Sequence, residues 1–184
     1  MNLLIDIGNS SAKIAISRNR KIIQDFRFVE LDTDKILDII NEYKIQNSAL
    51  SNVSTNNEKL KKILIENTSF YSFSNEIRIP FNCPYKLTDV GDDRLALMSA
   101  AYYDFPTENV LVIDMGTCIT YDIKSSNNNY KAGGISPGLR MRIKSISDGA
   151  FKLNEITPAY PESLIASDTK SSLDIGIVMG IKSE

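Results

Sequence analysis

The chain has 184 residues, with 21 Lys and Arg scattered among 23 Asp and Glu for a formal net charge of −2, which excludes a broad basic face for nucleic acid or anionic lipid. No apolar run approaches the roughly 20 residues that span a bilayer, and the start, MNLLIDIGNSS, lacks the basic and hydrophobic regions of a signal peptide, so a soluble cytoplasmic protein is expected. The chain contains no histidine, which excludes Ser-His-Asp and Cys-His catalysis and the usual zinc sites and leaves acid–base work to carboxylates; Cys83 and Cys118, too few for a disulfide framework, are expected as buried small hydrophobes.

In chain order, Leu3 to Asp6, Ala12 to Ser17 and Ile22 to Val29 read as three short strands separated by turn residues, an antiparallel meander. Ile36, Leu37, Ile40 and Tyr43 then recur at helical spacing behind an acidic start at Asp32 to Asp34. Ala49 to Val53 reads as a strand. Thr55 and Glu58 read as a capping box for a helix carrying Leu60, Ile63 and Leu64, and Phe70 to Phe73 as one more strand. Pro80 and Pro84 bracket an extended loop ahead of a helix that includes Leu95, Ala96, Met98 and Ala101.

A second beginning follows. Leu111-Val-Ile-Asp-Met-Gly-Thr117 laid over Leu3-Leu-Ile-Asp-Ile-Gly-Asn9 matches Leu, Ile, Asp and Gly identically, each copy being an apolar strand, a DxG turn and a further strand. Cys118 to Lys124 and Tyr130 to Ile135 extend the parallel, with Asn127 to Asn129 as a hairpin tip. The expected architecture is a duplicated α/β unit, divided at 1–107 and 108–184, with Asp6 and Asp114 at the floor of one cleft. A DxG turn suits a phosphate, because glycine admits backbone N–H groups to the anion, Ser and Asn add donors, and a carboxylate holds Mg²⁺ through water. A single copy reads more readily as a tight hairpin; the second copy favours the phosphate.

DIGNSSAK at Asp6 to Lys13, GDDR at Gly91 to Arg94, DMGTCITYD at Asp114 to Asp122, GGISPG at Gly133 to Gly138 and SDT at Ser167 to Thr169 together resemble the ordered motif set of type III pantothenate kinases, over nearly the whole chain. The resemblance implies duplicated ribonuclease-H-like domains of the actin-like ATPase and sugar-kinase superfamily. It implies a homodimer that phosphorylates pantothenate with ATP and Mg²⁺, helped by a monovalent cation, K⁺ or NH₄⁺. By position, Asp6, Ile7, Gly8, Asn9, Ser10, Ser11, Ala12 and Lys13 resemble the ATP phosphate loop, and Thr117 the second nucleotide contact. Asp114 is similar to the monovalent-cation ligand. Asp93 is similar to the proton acceptor, while Tyr85, Gly91, Asp92, Asp93, Arg94 and Thr169 match the positions that contact pantothenate. Family members continue past the point that corresponds to Glu184, so the second half is expected to be incomplete here, on the adenosine side.

Local alternatives stay open beside these roles. Asp92 or Asp93 can serve as an N-cap, Thr169 as another, Arg94 as a solvated first-turn residue, and Tyr85 as an amphipathic lid residue. GGISPG can be a strand-to-helix turn with Pro137 near the helix start. Another kinase or ATPase of the same fold is the runner-up, against which GDDR and SDT speak. A non-catalytic ligand-binding remnant or regulatory module is the reading from a different class. Apolar residues at helical spacing in Leu139 to Phe151 and Leu173 to Ile181 suggest faces for a dimer contact, with Thr169 brought towards the partner's GDDR turn.

Overall fold

A computed structural model describes residues 1–8, 11–52, 57–72, 78–149 and 157–184, which form two compact units. The first comprises Met1–Val110 with Ile123–Lys131, the second Leu111–Asp122 with Ala132–Glu184.

The first unit is built on β1 (Asn2–Ile7), β2 (Ala12–Arg18), β3 (Lys21–Phe28), β4 (Asn47–Asn52) and β5 (Ser69–Ser72), hydrogen-bonded in the order β3-β2-β1-β4-β5. β2 runs antiparallel to β1 and β3, whereas β4 runs parallel to β1 and β5 parallel to β4. Asn19 and Arg20, both at positive φ, make the two-residue turn whose twist suits the β2–β3 hairpin. Strand alternation sorts the faces: Leu3, Ile5 and Ile7 are buried, and Leu4 and Asp6 point the other way.

Two helices cover the apolar face, α1 (Thr33–Glu42) and α2 (Glu58–Asn67). α1 starts on the Asp32 side chain, which accepts from the Asp34 amide, and buries Ile36, Ile39 and Ile40. Each such side chain contributes about 1.5–3 kcal/mol by leaving water. α2 begins at Glu58 with Asn57 as its N-cap, so Glu58 is the first helical residue and cannot close the expected capping box. Thr55 lies outside the described residues, as do Val53 and Phe73 at the ends of two expected strands. α3 (Asp92–Asp104) follows a single 3-10 turn at Leu87–Asp89 and packs on β4. Its buried Leu95 and Met98 stand outside the α1/α2 core, which puts it on the sheet's other face.

The tip of the hairpin between β7 (Cys118–Lys124) and β8 (Tyr130–Pro137) completes this unit. The ammonium of Lys124 is fully buried and donates to three backbone carbonyls, those of Pro106, Glu108 and Ser125, at 3.2, 3.1 and 3.4 Å. Three donors meet three acceptors, so the charge is solvated by the chain itself. Asn128, at the expected hairpin tip, has positive φ.

β6 (Val110–Met115), β7 and β8 form a second sheet in that order. Connections this short permit only antiparallel neighbours, so the opening meander of the first unit recurs. α4 (Leu139–Gly149), α5 (Thr169–Asp174) and α6 (Gly180–Lys182) follow, with Ile175–Met179 between the last two in π geometry. Two expectations shift here. α4 carries apolar residues at helical spacing but buries none completely, and the helix through Ile175 and Met179 is wound wider than periodicity alone indicates. Phe151 lies outside the described residues.

Candidate active site

The phosphate-loop candidates sit where β1 hands over to β2. The Gly8 amide donates to the Ser11 carbonyl at 3.1 Å, closing the turn; Asn9 and Ser10 lie outside the described residues. Ile7 and Ala12, the flanking positions, are buried anchors, so the turn springs from fixed strand ends. Asp6 projects from the face opposite the core, 3.7 Å from the Lys13 ammonium, with the lysine largely exposed and the aspartate half-buried. Such a loose, solvated pair adds little stability, and its cation is available to a stronger anion. Arg27 Nε donates to Ser11 Oγ at 3.2 Å, bringing a second cation to the loop. Sequence motifs did not single out Arg27; its signal is the strand register, which sets it directly across from Lys13.

The GDDR turn opens α3. Gly91 is the N-cap, so neither Asp92 nor Asp93 caps the helix; both occupy its first turn. Asp93 Oδ1 accepts from the Arg94 amide at 2.8 Å, and a Cβ on Gly91 would fall 2.5 Å from that oxygen. Glycine therefore leaves the space in which the Asp93 carboxylate folds back on its helix. Oδ2 has no hydrogen bond among the described residues. Asp92 and Arg94 are half-buried beside it. Tyr85 packs its ring edge-on against Tyr130 at 5.7 Å, and Tyr130 meets Phe81 at 5.8 Å. Tyr130 is buried and Tyr85 is 42% exposed, so a fixed aromatic presents a free one.

In the second unit the Gly116 amide donates to the Cys118 carbonyl at 2.9 Å and the Gly138 amide to the Thr117 carbonyl at 3.0 Å, clasping the second DxG turn. Asp114 leans over this turn, its Oδ2 3.9 Å from where a Gly116 Cβ would stand. Cys118 and Cys83 are half-buried rather than buried: each sulfur has a polar or sulfur neighbour, the Tyr85 carbonyl for Cys83 and Met141 for Cys118. Thr169 is the exposed first residue of α5 and is not its cap. That role belongs to Asp168, in a capping box with Ser171.

Three carboxyls of this unit are held below their usual range. The Ser171 amide and then its hydroxyl act on Asp168, the Lys170 ammonium and then the Ala159 amide on Asp174, and the Ser136 hydroxyl and then the Arg142 guanidinium on Glu184. Asp174 thereby ties α5 to residue 159, through bonds of 2.7 Å to Lys170 and 3.0 Å to Ala159. A depressed folded value stabilises above the unfolded value of about 3.9 and is lost as pH falls through the folded one. Asp174→Asn is accordingly expected to lower the thermal midpoint at neutral pH and to converge with the parent below about pH 4. A gap that persists undiminished at about pH 3 would contradict this assignment.

Among the described residues no group of three or more Cys, Asp or Glu side chains is gathered to hold a metal. One exposed carboxylate beside a loop amide fits an ion carried mainly by phosphates and water rather than an all-protein cage. No described helix is long and apolar enough to cross a membrane.

A mixed sheet in the order β3-β2-β1-β4-β5, with a carboxylate and a glycine turn at the end of its central strand, defines the ribonuclease-H-like class of actin-like ATPases and sugar kinases. The family profile of type III pantothenate kinases matches residues 2–184. Relatives of that description are 36% identical in Christiangramia forsetii and 33% identical in Phocaeicola vulgatus, each over all of this chain and 77% of its own length. A crystal structure from Campylobacter jejuni, of a protein assigned to the Baf family of transcriptional activators, superposes with a TM-score of 0.61 at 29% identity, over 98% of this chain and 76% of that one. The chain belongs to the type III pantothenate kinase family.

Proposed function

We propose that this chain transfers the γ-phosphoryl group of ATP to the 4′-hydroxyl of pantothenate, the first step of coenzyme A biosynthesis. The observation that carries the reading is the family match over residues 2–184, which contain Asp93 with one carboxylate oxygen anchored and the other unengaged. In this reading Asp93 Oδ2 accepts the hydroxyl proton as the alcohol oxygen attacks phosphorus. Positioning and charge neutralisation supply the rest of the catalysis, as is usual for phosphoryl transfer. Tyr85, Gly91, Asp92, Arg94 and Thr169 hold pantothenate, with Arg94 bringing positive charge to its carboxylate.

The loop from Asp6 to Lys13 receives the ATP phosphates, with Thr117 as a further nucleotide contact. Mg²⁺, when bound, screens the β- and γ-phosphate charge; Asp6 would orient its water shell and Lys13 would turn from Asp6 to the phosphates. Asp114 would take K⁺ or NH₄⁺. The halves 1–107 and 108–184 each supply one carboxylate-and-glycine turn, and the working form is a cytoplasmic homodimer in which Thr169 serves the partner's acceptor site. Purified protein should release ADP only when pantothenate is present. Release with other alcohols alone would point to a different kinase of the class, and no release with any acceptor would overturn the reading. Sedimentation at micromolar concentration tests the dimer, which a clean monomer would refute.

A further inference from the structure

Two polar rungs cross the face of the first sheet opposite α1 and α2, at opposite ends of β1. At the start of the strand Asn2 is in register with Ser17 on β2 and Asn47 on β4. All three side chains join: Asn2 Nδ2 donates to Ser17 Oγ at 3.5 Å, and Asn47 Nδ2 to Asn2 Oδ1 at 2.9 Å. At the far end Asp6 is in register with Lys13 on β2 and Ser51 on β4, by the same pairing and on the same face. This second rung is left open. Lys13 stands 3.7 Å from Asp6, and Ser51 Oγ is closed off from solvent with no hydrogen-bond partner among the described residues. A hydroxyl in that condition costs the fold free energy, which calls for a reason.

We propose that Ser51 is a positioning residue for Asp6, its hydroxyl donating to the Asp6 carboxylate once a nucleotide's phosphates have drawn Lys13 away. Neighbouring strands lie about 4.8 Å apart, which a serine and an aspartate on one rung bridge directly, as Asn2 and Asn47 do below them. In the free protein Lys13 balances Asp6 electrostatically. With phosphate bound, Asp6 loses that partner and Ser51 restores one, fixing the carboxylate towards the ion that accompanies the phosphates. The inference rests on Asp6 belonging to the phosphate loop.

The test uses the whole chain with Mg-ADP as probe, reading both thermal midpoint and dissociation constant. Ser51→Ala is expected to leave the unliganded midpoint unchanged or slightly higher, since it removes an unsatisfied group, and to weaken Mg-ADP about tenfold. The same loss should appear mainly in KM for ATP rather than in kcat. Ser51→Thr, which keeps the hydroxyl, should bind as the parent does. In an Asp6→Asn background the Ser51→Ala change should have little further effect, because the interaction it removes is already gone. A lowered unliganded midpoint for Ser51→Ala would assign the hydroxyl a structural partner and overturn the proposal. So would parent-like Mg-ADP binding by Ser51→Ala alongside weakened binding by Asp6→Asn. If Asp6→Asn itself binds Mg-ADP normally, the phosphate-loop reading fails and this inference with it.

Discussion

Asp93→Asn is expected to lower turnover by about 10²–10⁴ while leaving a folded protein that still binds pantothenate. The amide keeps the size of the carboxylate, and its oxygen can go on accepting from the Arg94 amide, so the start of α3 has no reason to rearrange. What disappears is an acceptor for the hydroxyl proton, together with a first-turn negative charge whose loss costs roughly 0.3–1 kcal/mol. With no histidine in the chain, no imidazole can take over. Single-turnover measurement of phosphate transfer separates this loss from altered binding; near-normal turnover would remove Asp93 from the chemistry. The thermal midpoint of the variant serves as the control for general disturbance of the helix start.

Gly138→Ala is expected to lower the thermal midpoint by about 5–15 °C. The added Cβ would stand 2.4 Å from the Gly116 carbonyl oxygen and 2.5 Å from that of Thr117, backbone atoms that cannot swing aside, and the Gly138–Thr117 hydrogen bond would be forced open. Overpacking at about 1–3 kcal/mol and loss of a hydrogen bond at about 1 kcal/mol add at such a point. Gly8→Ala and Gly116→Ala form the contrast: their nearest atoms would be 3.6 and 3.7 Å away, an ordinary contact, and neither glycine has positive φ. The fold does not need glycine at those two turns. Calorimetry should therefore find Gly8→Ala near the parent, with its damage confined to nucleotide affinity. A Gly8→Ala variant that melts as early as Gly138→Ala would refute the distinction.

Much of the fold is legible in the residues because its signals are local. Alternation in Leu3 to Ile7 and spacing in Ile36 to Ile40 reflect burial on one face, and both survive in the structure. The recurrence of the DxG turn before β2 and before β7 is equally visible, since each copy needs the same strand–turn–strand. What sequence leaves hidden depends on register and on contacts between distant segments. Arg27 reaches the β1–β2 turn, the proposed phosphate loop, only through its pairing across from Lys13, and Ser51 faces Asp6 only because β4 runs parallel to β1 without a shift. The roles of Asp92 and Asp168 turn on single positions at helix starts. Gly91 and Asp168 take the caps, which leaves Asp92, Asp93 and Thr169 for other work.

The Lys124 ammonium has a use as an internal clock. An amine wrapped by the carbonyls of Pro106, Glu108 and Ser125 cannot meet an acylating reagent until the segment after α3 parts from the β7–β8 hairpin, whereas Lys21, Lys86 and Lys131 are exposed at all times. The lag of one lysine behind the others, followed by peptide mass, thus reports how often this corner of the first unit opens. Because Tyr130 on the same hairpin supports the Tyr85 ring, that opening frequency also bounds how steadily the proposed acceptor side is held.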